Sequence, residues 1–369
     1  MRVSIDVLRQ AVKSVLPLAG ESYKGKGTGV FATINNSTWI VTGSFGHRVA
    51  GARVCDEVDD ELVDNWFAIS DLFQFLGATF SSDFVDISYT SGRIQFKIGR
   101  NKRTFPYSPS SSIGDFVDLP PLSSGMLVDD TTLFQTIASA SHTDTSNNLH
   151  GVYIIADSDL EMIATDGFLI AYGKIKNELQ HRFTTLIPAD FFSYIGRVYW
   201  NTMPRMSVAN NKIYFVSDDL FAIGSVGHHE LYPGRKIAEF YAGIEFGNEA
   251  VVDALDFSDK ISVLTGVDAR GKVGFINVSA VSFDFDDERG DLHLKSDSQD
   301  NGDAEFFIGA HGLNYKCVLN GHLAKKAAQL LRSVNSKSLM FSPADGQNLM
   351  LVRPSDSDSL IVGIVPMSH

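Results

Sequence analysis

The chain has 369 residues, 44% hydrophobic and 20% charged, with a formal net charge of −13. The length exceeds one ordinary core and predicts two or three domains of a soluble globular protein, with no apolar run approaching the ~18–20 residues of a bilayer helix. The acidic total excludes a uniformly basic surface but leaves room for a local basic face, because phosphate responds to the field of a face and not to the sum.

The N-terminal stretch "IDVLRQAVKSVL" predicts an amphipathic helix with Val7, Leu8, Ala11, Val12 and Leu16 inward and Arg9 and Lys13 outward. Asp6, Arg9, Gln10 and Lys13 stand where a signal peptide would be apolar, so a cytoplasmic protein is expected. Cys55 and Cys317 form no metal or redox motif and suit a reducing compartment as small core residues. "KGKGTG" (24–29) lacks the Gly-Lys-Ser/Thr ending of a phosphate loop and precedes a strand, so it reads as a connecting loop.

Strand-like runs begin at Gly29 ("GVFATINNSTWIVTGS"), Gly151 ("GVYIIADSDLEMIATD") and Val273 ("VGFINVSAVSFDFDDE"). Each follows a helix-like segment and precedes a second one: 69–80, 188–200 and 320–334. Alternating strands follow each of these in turn, among them "DFVDISYTSGRIQFKIG" and "RMSVANNKIYFVSDDLFAIGSV". Pro and Ser cluster at 118–125, and a further boundary falls at 245–252. The pattern predicts a triplicated α+β module with boundaries 1–122, 123–246 and 247–369.

Two stretches bear on chemistry. In "IATDGFLIAYG" (163–173), Asp166-Gly167 signals a hairpin turn, yet Phe168, Leu169 and Ile170 follow with no polar residue. Such a run is either a doubly buried strand or an apolar wall against which something docks. In "NGHLAKKAAQLLRSVNSK" (320–337), Leu323, Ala327, Leu330, Leu331 and Val334 share one face, with Lys325, Lys326, Gln329 and Arg332 on the other. That basic face is either a solvated helix surface or a phosphate-attracting one.

A catalytic constellation is not found. "DSQDNGDAEFFI" (297–308) has acidic spacing like a calcium loop, but Ile308 replaces the bidentate Glu, and a hairpin is expected instead. His228-His229-Glu230 has no third ligand at helical spacing, and no Gly-x-Ser-x-Gly elbow occurs. A carbohydrate-binding or capsid-type β-protein would account for the strands but not for six amphipathic helices at repeated positions.

The runs "LHGVYIIADSDLEMIATDGFLIAYG" (149–173), "LIPADFF" (186–192), "HELYPGRKI" (229–237) and "LIVGIVPMSH" (360–369), in this order and spacing, resemble the beta subunit of bacterial DNA polymerase III, the sliding clamp. "GDFVDLPPL" in the first module is similar more loosely. The resemblance spans the chain and implies a head-to-tail homodimer of three-module chains, closed into a ring with twelve helices inside and sheet outside. It implies a non-enzymatic processivity factor with no cofactor and no metal. Its partners would be duplex DNA bound without regard to sequence, a replicative polymerase, a clamp loader and other proteins carrying clamp-binding peptides.

The resemblance also assigns residues. A peptide pocket would be walled by Leu149, Thr165, Gly167, Phe168, Leu169 and Ile170, by Pro233 and Ile237, and by Ile364, Val365, Pro366 and Met367. Arg9, Lys13, Lys24, Lys26, Arg197, Lys325, Lys326 and Arg332 would face DNA. Phe105 and Tyr107 would meet Val263 and Leu264 of a second copy. The family usually has His-Arg where this chain has Phe168-Leu169, and Arg-Leu where it ends in Ser368-His369, which predicts a more apolar rim and a different preferred peptide. "GSFGHRVAG" (43–51) carries Gly46-His47-Arg48 in the first module, a sign of kinship among the repeats. The first module is otherwise the most diverged, which fits a phage-encoded or lineage-specific clamp as well as a chromosomal one.

Overall fold

The computed structural model describes residues 1–19, 28–44, 48–58, 61–63, 65–80, 82–90, 92–106, 108–109, 125–128, 131–145, 147–176, 182–199, 202–227, 230–267, 272–273, 276–277, 279–298, 302–332, 334, 336–344 and 348–367. Lys24, Lys26, Tyr107, His47, His228, His229 and the Ser368-His369 end, singled out above, lie outside these residues. Among the described residues the α-helices are α1 (Ile5–Val15), α2 (Ile69–Leu76), α3 (Thr132–Ala138), α4 (Ala189–Val198), α5 (Gly234–Ala242), α6 (Ala254–Val267) and α7 (Gly321–Arg332). The pairs α1/α2, α3/α4 and α6/α7 recur at the repeat positions expected from sequence, and α5 stands outside that pattern.

The chain forms two compact units, Met1–Asp129 with Val198–Val226, and Asp130–Arg197 with Gly227–His369. The first holds a four-stranded antiparallel sheet in the order Arg2–Ser4, Phe84–Tyr89, Arg93–Ile98, Asn101–Pro106. Its second sheet has nine strands and pairs Leu220–Ser225 with Arg48–Cys55 across a long gap in sequence. Two hairpins in this sheet turn on Asn35-Asn36 and Asn210-Asn211, all four at positive φ, the two-residue turn that matches strand twist. The second unit holds a twelve-stranded sheet in which Leu169–Lys176 pairs with Leu360–Ile364. This is an α+β fold of paired helices and antiparallel sheets.

Helix α1 buries Ile5, Leu8, Ala11, Val12 and Val15. Val7, expected inward, is exposed, because the buried stripe runs one residue further round the helix than the pattern suggests. In the third repeat the first long strand is Ala280–Asp286, and the residues from Val273 instead form a short ladder with Ile276–Asn277. The calcium-like stretch pairs Ser298 with Gly302 and continues as strand, so it is a hairpin. Both cysteines are free thiols, and burial pushes the Cys317 thiol up to about 12.

Two residues expected at a subunit interface belong to the core. Phe105 lies on the edge strand Asn101–Pro106, but its ring turns inward at 2% exposure, 5.5 Å from Phe96 and 6.3 Å from Phe67. Leu264 on α6 is fully buried, whereas its neighbour Val263 is exposed. Strand and helix periodicity decide both cases: one face of each element belongs to the core and its neighbour in sequence does not. Phe105→Ala should therefore cost on the order of 3–5 kcal/mol of stability, the range for a large aromatic removed from a packed core. Urea denaturation followed by circular dichroism would read it as a lowered midpoint.

Candidate functional site

The site is assembled in the second unit around the turn between strands Asp159–Thr165 and Leu169–Lys176. Thr165 pairs with Ile170, leaving Asp166 to Leu169 as the reversal, closed by the Asp166 N–H donating to the Leu169 carbonyl at 3.2 Å. Gly167 adopts φ +96°, where a side chain would be strained. The Thr165 hydroxyl donates to the Leu169 carbonyl at 2.9 Å and accepts the Gly167 N–H at 3.0 Å. One Asp166 oxygen accepts the N–H groups of Phe168 and Leu169 at 3.0 and 2.8 Å. Thr165 and Asp166 are thus buried polar groups satisfied by the turn they shape.

The Tyr232-Pro233 pair opens helix α5, with Pro233 at the N-cap, where its missing N–H costs nothing. Two tyrosine stacks hold α5 and its approach on the sheet: Tyr153 with Tyr232 at 5.6 Å and Tyr172 with Tyr241 at 4.8 Å, each within 2° of parallel. The Tyr232 hydroxyl donates to the Ile163 carbonyl at 3.3 Å, and burial raises its pKa. Burial likewise raises Tyr172 and Tyr241, so these phenols stay neutral and serve as packing groups.

The C-terminal strand completes the arrangement. Leu169 faces Ile364 and Ile170 faces Gly363 in antiparallel register. Beyond the strand, the Val365 N–H donates to the Phe168 carbonyl and the Met367 N–H to the Val318 carbonyl, both at 2.9 Å. Ile170, Ile237 and Val365, from three distant stretches, pack half-buried against one core cluster that includes Tyr153, Tyr172, Tyr232 and Tyr241. Pro233, Pro366 and Met367 are also half-buried, and Phe168 at the turn is 43% exposed. Leu149 lies beside Gly167, its Cδ1 3.6 Å from where a Cβ would stand.

Leu169 and Ile364, expected to line the wall, are fully buried. Strand alternation sends them to the face opposite Ile170 and Val365, so the apolar run is half core and half surface. Sequence reasoning did not single out Tyr172, Tyr241, Phe240, Leu349 or Gly363. A Cβ at Gly363 would stand 2.7 Å from the Tyr241 hydroxyl and 3.0 Å from Leu349, a close approach that no local pattern announces. What the arrangement offers chemically is a half-buried apolar surface over a tyrosine-rich cluster, suited to contact with bulky apolar side chains. No group of three or more His, Cys, Asp or Glu able to hold a metal occurs among the described residues.

The basic residues divide. The Arg9 guanidinium turns back to the Leu76 carbonyl at the end of α2, with contacts of 3.0 and 2.8 Å, and to Asp6 at 2.8 Å. Lys326 meets Asp166 at 3.3 Å. Lys13 and Arg197 are exposed and Lys325 half-buried, with no carboxylate partner among the described residues. Arg332 is exposed and donates to the Ser258 hydroxyl at 3.3 Å. No helix among the described residues is long and apolar enough to cross a membrane.

This architecture is the DNA clamp fold. Solved structures that share it include bacterial DNA polymerase III beta subunits, the sliding clamps. The Pseudomonas aeruginosa beta subunit matches with a TM-score of 0.80 at 13% identity, covering 100% of both chains. The Thermotoga maritima beta subunit matches at 0.80 and 15%, covering 100% of this chain and 99% of that one. The Bacillus subtilis sliding clamp matches at 0.79 and 14%, covering 100% and 98%. Neither a protein-family model nor any curated protein sequence matches the chain. The likeness is therefore one of fold, kept over the full length at low identity.

Since Leu169 is core, Leu169→Arg should lower the thermal midpoint by several degrees, because an unpaired charge would be buried. Phe168→Arg, on the exposed side of the same turn, should leave it nearly unchanged. Differential scanning fluorimetry of the two variants checks both outcomes.

Proposed function

We propose that the chain is a DNA sliding clamp, a processivity factor without enzymatic activity that closes around duplex DNA and tethers a replicative polymerase. The observation that carries this reading is the convergence of Ile170, Ile237 and Val365, half-buried, on one apolar core cluster in a chain with the clamp fold. A Pseudomonas aeruginosa sliding clamp of the same fold, at a TM-score of 0.81, is solved bound to griselimycin. Short peptides from the polymerase, the clamp loader and repair proteins would seat apolar anchors there, each contributing about 1.5–3 kcal/mol by area removed from water. Such weak contacts suffice, because enclosure of the duplex turns polymerase rebinding into an intramolecular event.

The modules 1–122, 123–246 and 247–369 would close by a pairing the chain already uses twice. Leu220–Ser225 joins Arg48–Cys55, and Leu360–Ile364 joins Leu169–Lys176. Two comparable edges carry open hydrogen-bonding groups among the described residues. Asn101–Pro106 ends its sheet, and Gly302–His311 meets Ala250–Asp253 only at Ala310 and His311. Pairing of these edges between two copies gives a head-to-tail dimer. Val263 and Phe307, 53% and 50% exposed, would be covered at that joint. Lys260 links their elements by donating to the Phe307 carbonyl at 2.8 Å. Phe307 takes the place assigned from sequence to Leu264. Lys13, Arg197, Lys325 and Arg332 would supply the sequence-independent attraction to phosphate on an otherwise acidic molecule.

Light scattering should give about 80 kDa, twice the 40.4 kDa chain. Val263→Asp with Phe307→Asp should give about half that mass with an unchanged circular dichroism spectrum. A wild-type monomer would overturn ring closure. Deletion of residues 365–369 should abolish peptide binding and polymerase stimulation while leaving the mass intact. Undiminished stimulation after that deletion would move the docking site elsewhere.

A further inference from the structure

We infer that Lys326, expected from its helix face to meet DNA, is instead a positioning residue of the pocket: it holds the Asp166 turn and, through that turn, the C-terminal tail. The functional consequence rests on the pocket reading proposed above; the geometry does not. Lys326 Nζ lies 3.3 Å from Asp166 Oδ2, joining residues 160 positions apart in sequence. The Asp166 side chain is only 9% exposed and that of Lys326 32%. With Oδ1 taken by two backbone N–H groups, the Lys326 ammonium is the partner of Oδ2 in this nearly buried side chain.

The ion pair is the first link of a chain of contacts. The other Asp166 oxygen accepts the N–H groups of Phe168 and Leu169. The Phe168 carbonyl, oriented by the same turn, accepts the Val365 N–H at 2.9 Å. Val365 is one of the three residues that converge on the apolar cluster. The anchor end is firm: α7 buries Leu323, Ala324, Ala327 and Leu331 around the lysine. Its first turn is tied by the Gly321 N–H to the Ser279 carbonyl at 2.6 Å. Lys325, one residue earlier, has no carboxylate partner among the described residues and keeps its charge for the surface. The charge of Lys326 is spent on Asp166. Removing it would leave a nearly buried carboxylate unpaired, and the turn would open toward water to solvate it.

The test uses the full-length dimer. Variants are Lys326→Met, Lys326→Arg, Asp166→Asn and the Met/Asn double. The probe is a fluorescein-labelled nonapeptide with adjacent Leu and Phe anchors, read by anisotropy. Amide hydrogen exchange is followed at Leu169 and Val365, with Val352 and Val362 as controls in the strands behind them. Lys326→Met and Asp166→Asn should each weaken the peptide about tenfold and speed exchange at Leu169 and Val365 by a similar factor. The controls should not change, the double variant should be no weaker than either single, and Lys326→Arg should restore affinity. The slope of DNA retention against salt should stay at its wild-type value. Unchanged exchange at Leu169 and Val365, additive losses, or a salt slope reduced by about one would each overturn the assignment. If wild-type protein fails to bind the peptide while exchange still responds to Lys326→Met, the network stands and the pocket reading falls.

Discussion

Backbone pairing between Leu169–Gly173 and Leu360–Ile364 is the constraint on which the candidate site depends. It joins strands nearly two hundred residues apart and sets Ile170 opposite Gly363 in one register. A shift of one residue in either strand would turn that strand's buried residue outward, exchanging Leu169 for Ile170 or Ile364 for Val365. The turn before this ladder and the tail after it are then fixed by their own hydrogen bonds, at Thr165, Asp166, Phe168 and Val365. Those contacts leave the apolar side chains with a single arrangement.

Packing on the outer face of that ladder comes from α5, and its means are aromatic. Two parallel tyrosine stacks bury large flat areas at little cost in side-chain freedom, and burial keeps the phenols of Tyr172, Tyr232 and Tyr241 neutral. Gly363 is part of the same arrangement, since any side chain there would displace the Tyr241 hydroxyl or Leu349. The close packing of Tyr241 and Leu349 on this strand therefore depends on a missing side chain as much as on the apolar ones present.

Electrostatics are distributed with similar economy on a chain of net charge −13. Some cations that look available on a helical wheel are committed to structure: Arg9 satisfies the end of α2, and Lys326 meets Asp166 at 3.3 Å. On a strand, Arg353 binds Glu249 through contacts of 3.1 and 3.0 Å. Orphan carbonyls at a helix end and nearly buried carboxylates both call for a cation, and a helical lysine or arginine within reach supplies one. Fewer helical cations are therefore left without a carboxylate or carbonyl partner among the described residues than the sequence suggests.

Local pattern in the sequence determined the helix pairs, the hairpin between Ser298 and Gly302, the turn at Asp166-Gly167 and the α+β class, because each is set by periodicity or backbone preference within a few residues. Resemblance in four separated segments determined which of those elements would meet. Tertiary structure alone decided which side of each element faces out: Phe105 and Leu264 went to the core, Phe307 to the surface, and Leu169 and Ile170 to opposite faces of one strand. It also decided that α5 is a helix docked by tyrosine stacks and that Lys326 belongs to Asp166. The physical reason is the same throughout. An alternating strand or an amphipathic helix has two faces, and the assignment of each to core or solvent depends on neighbours that the chain brings in from far along its length.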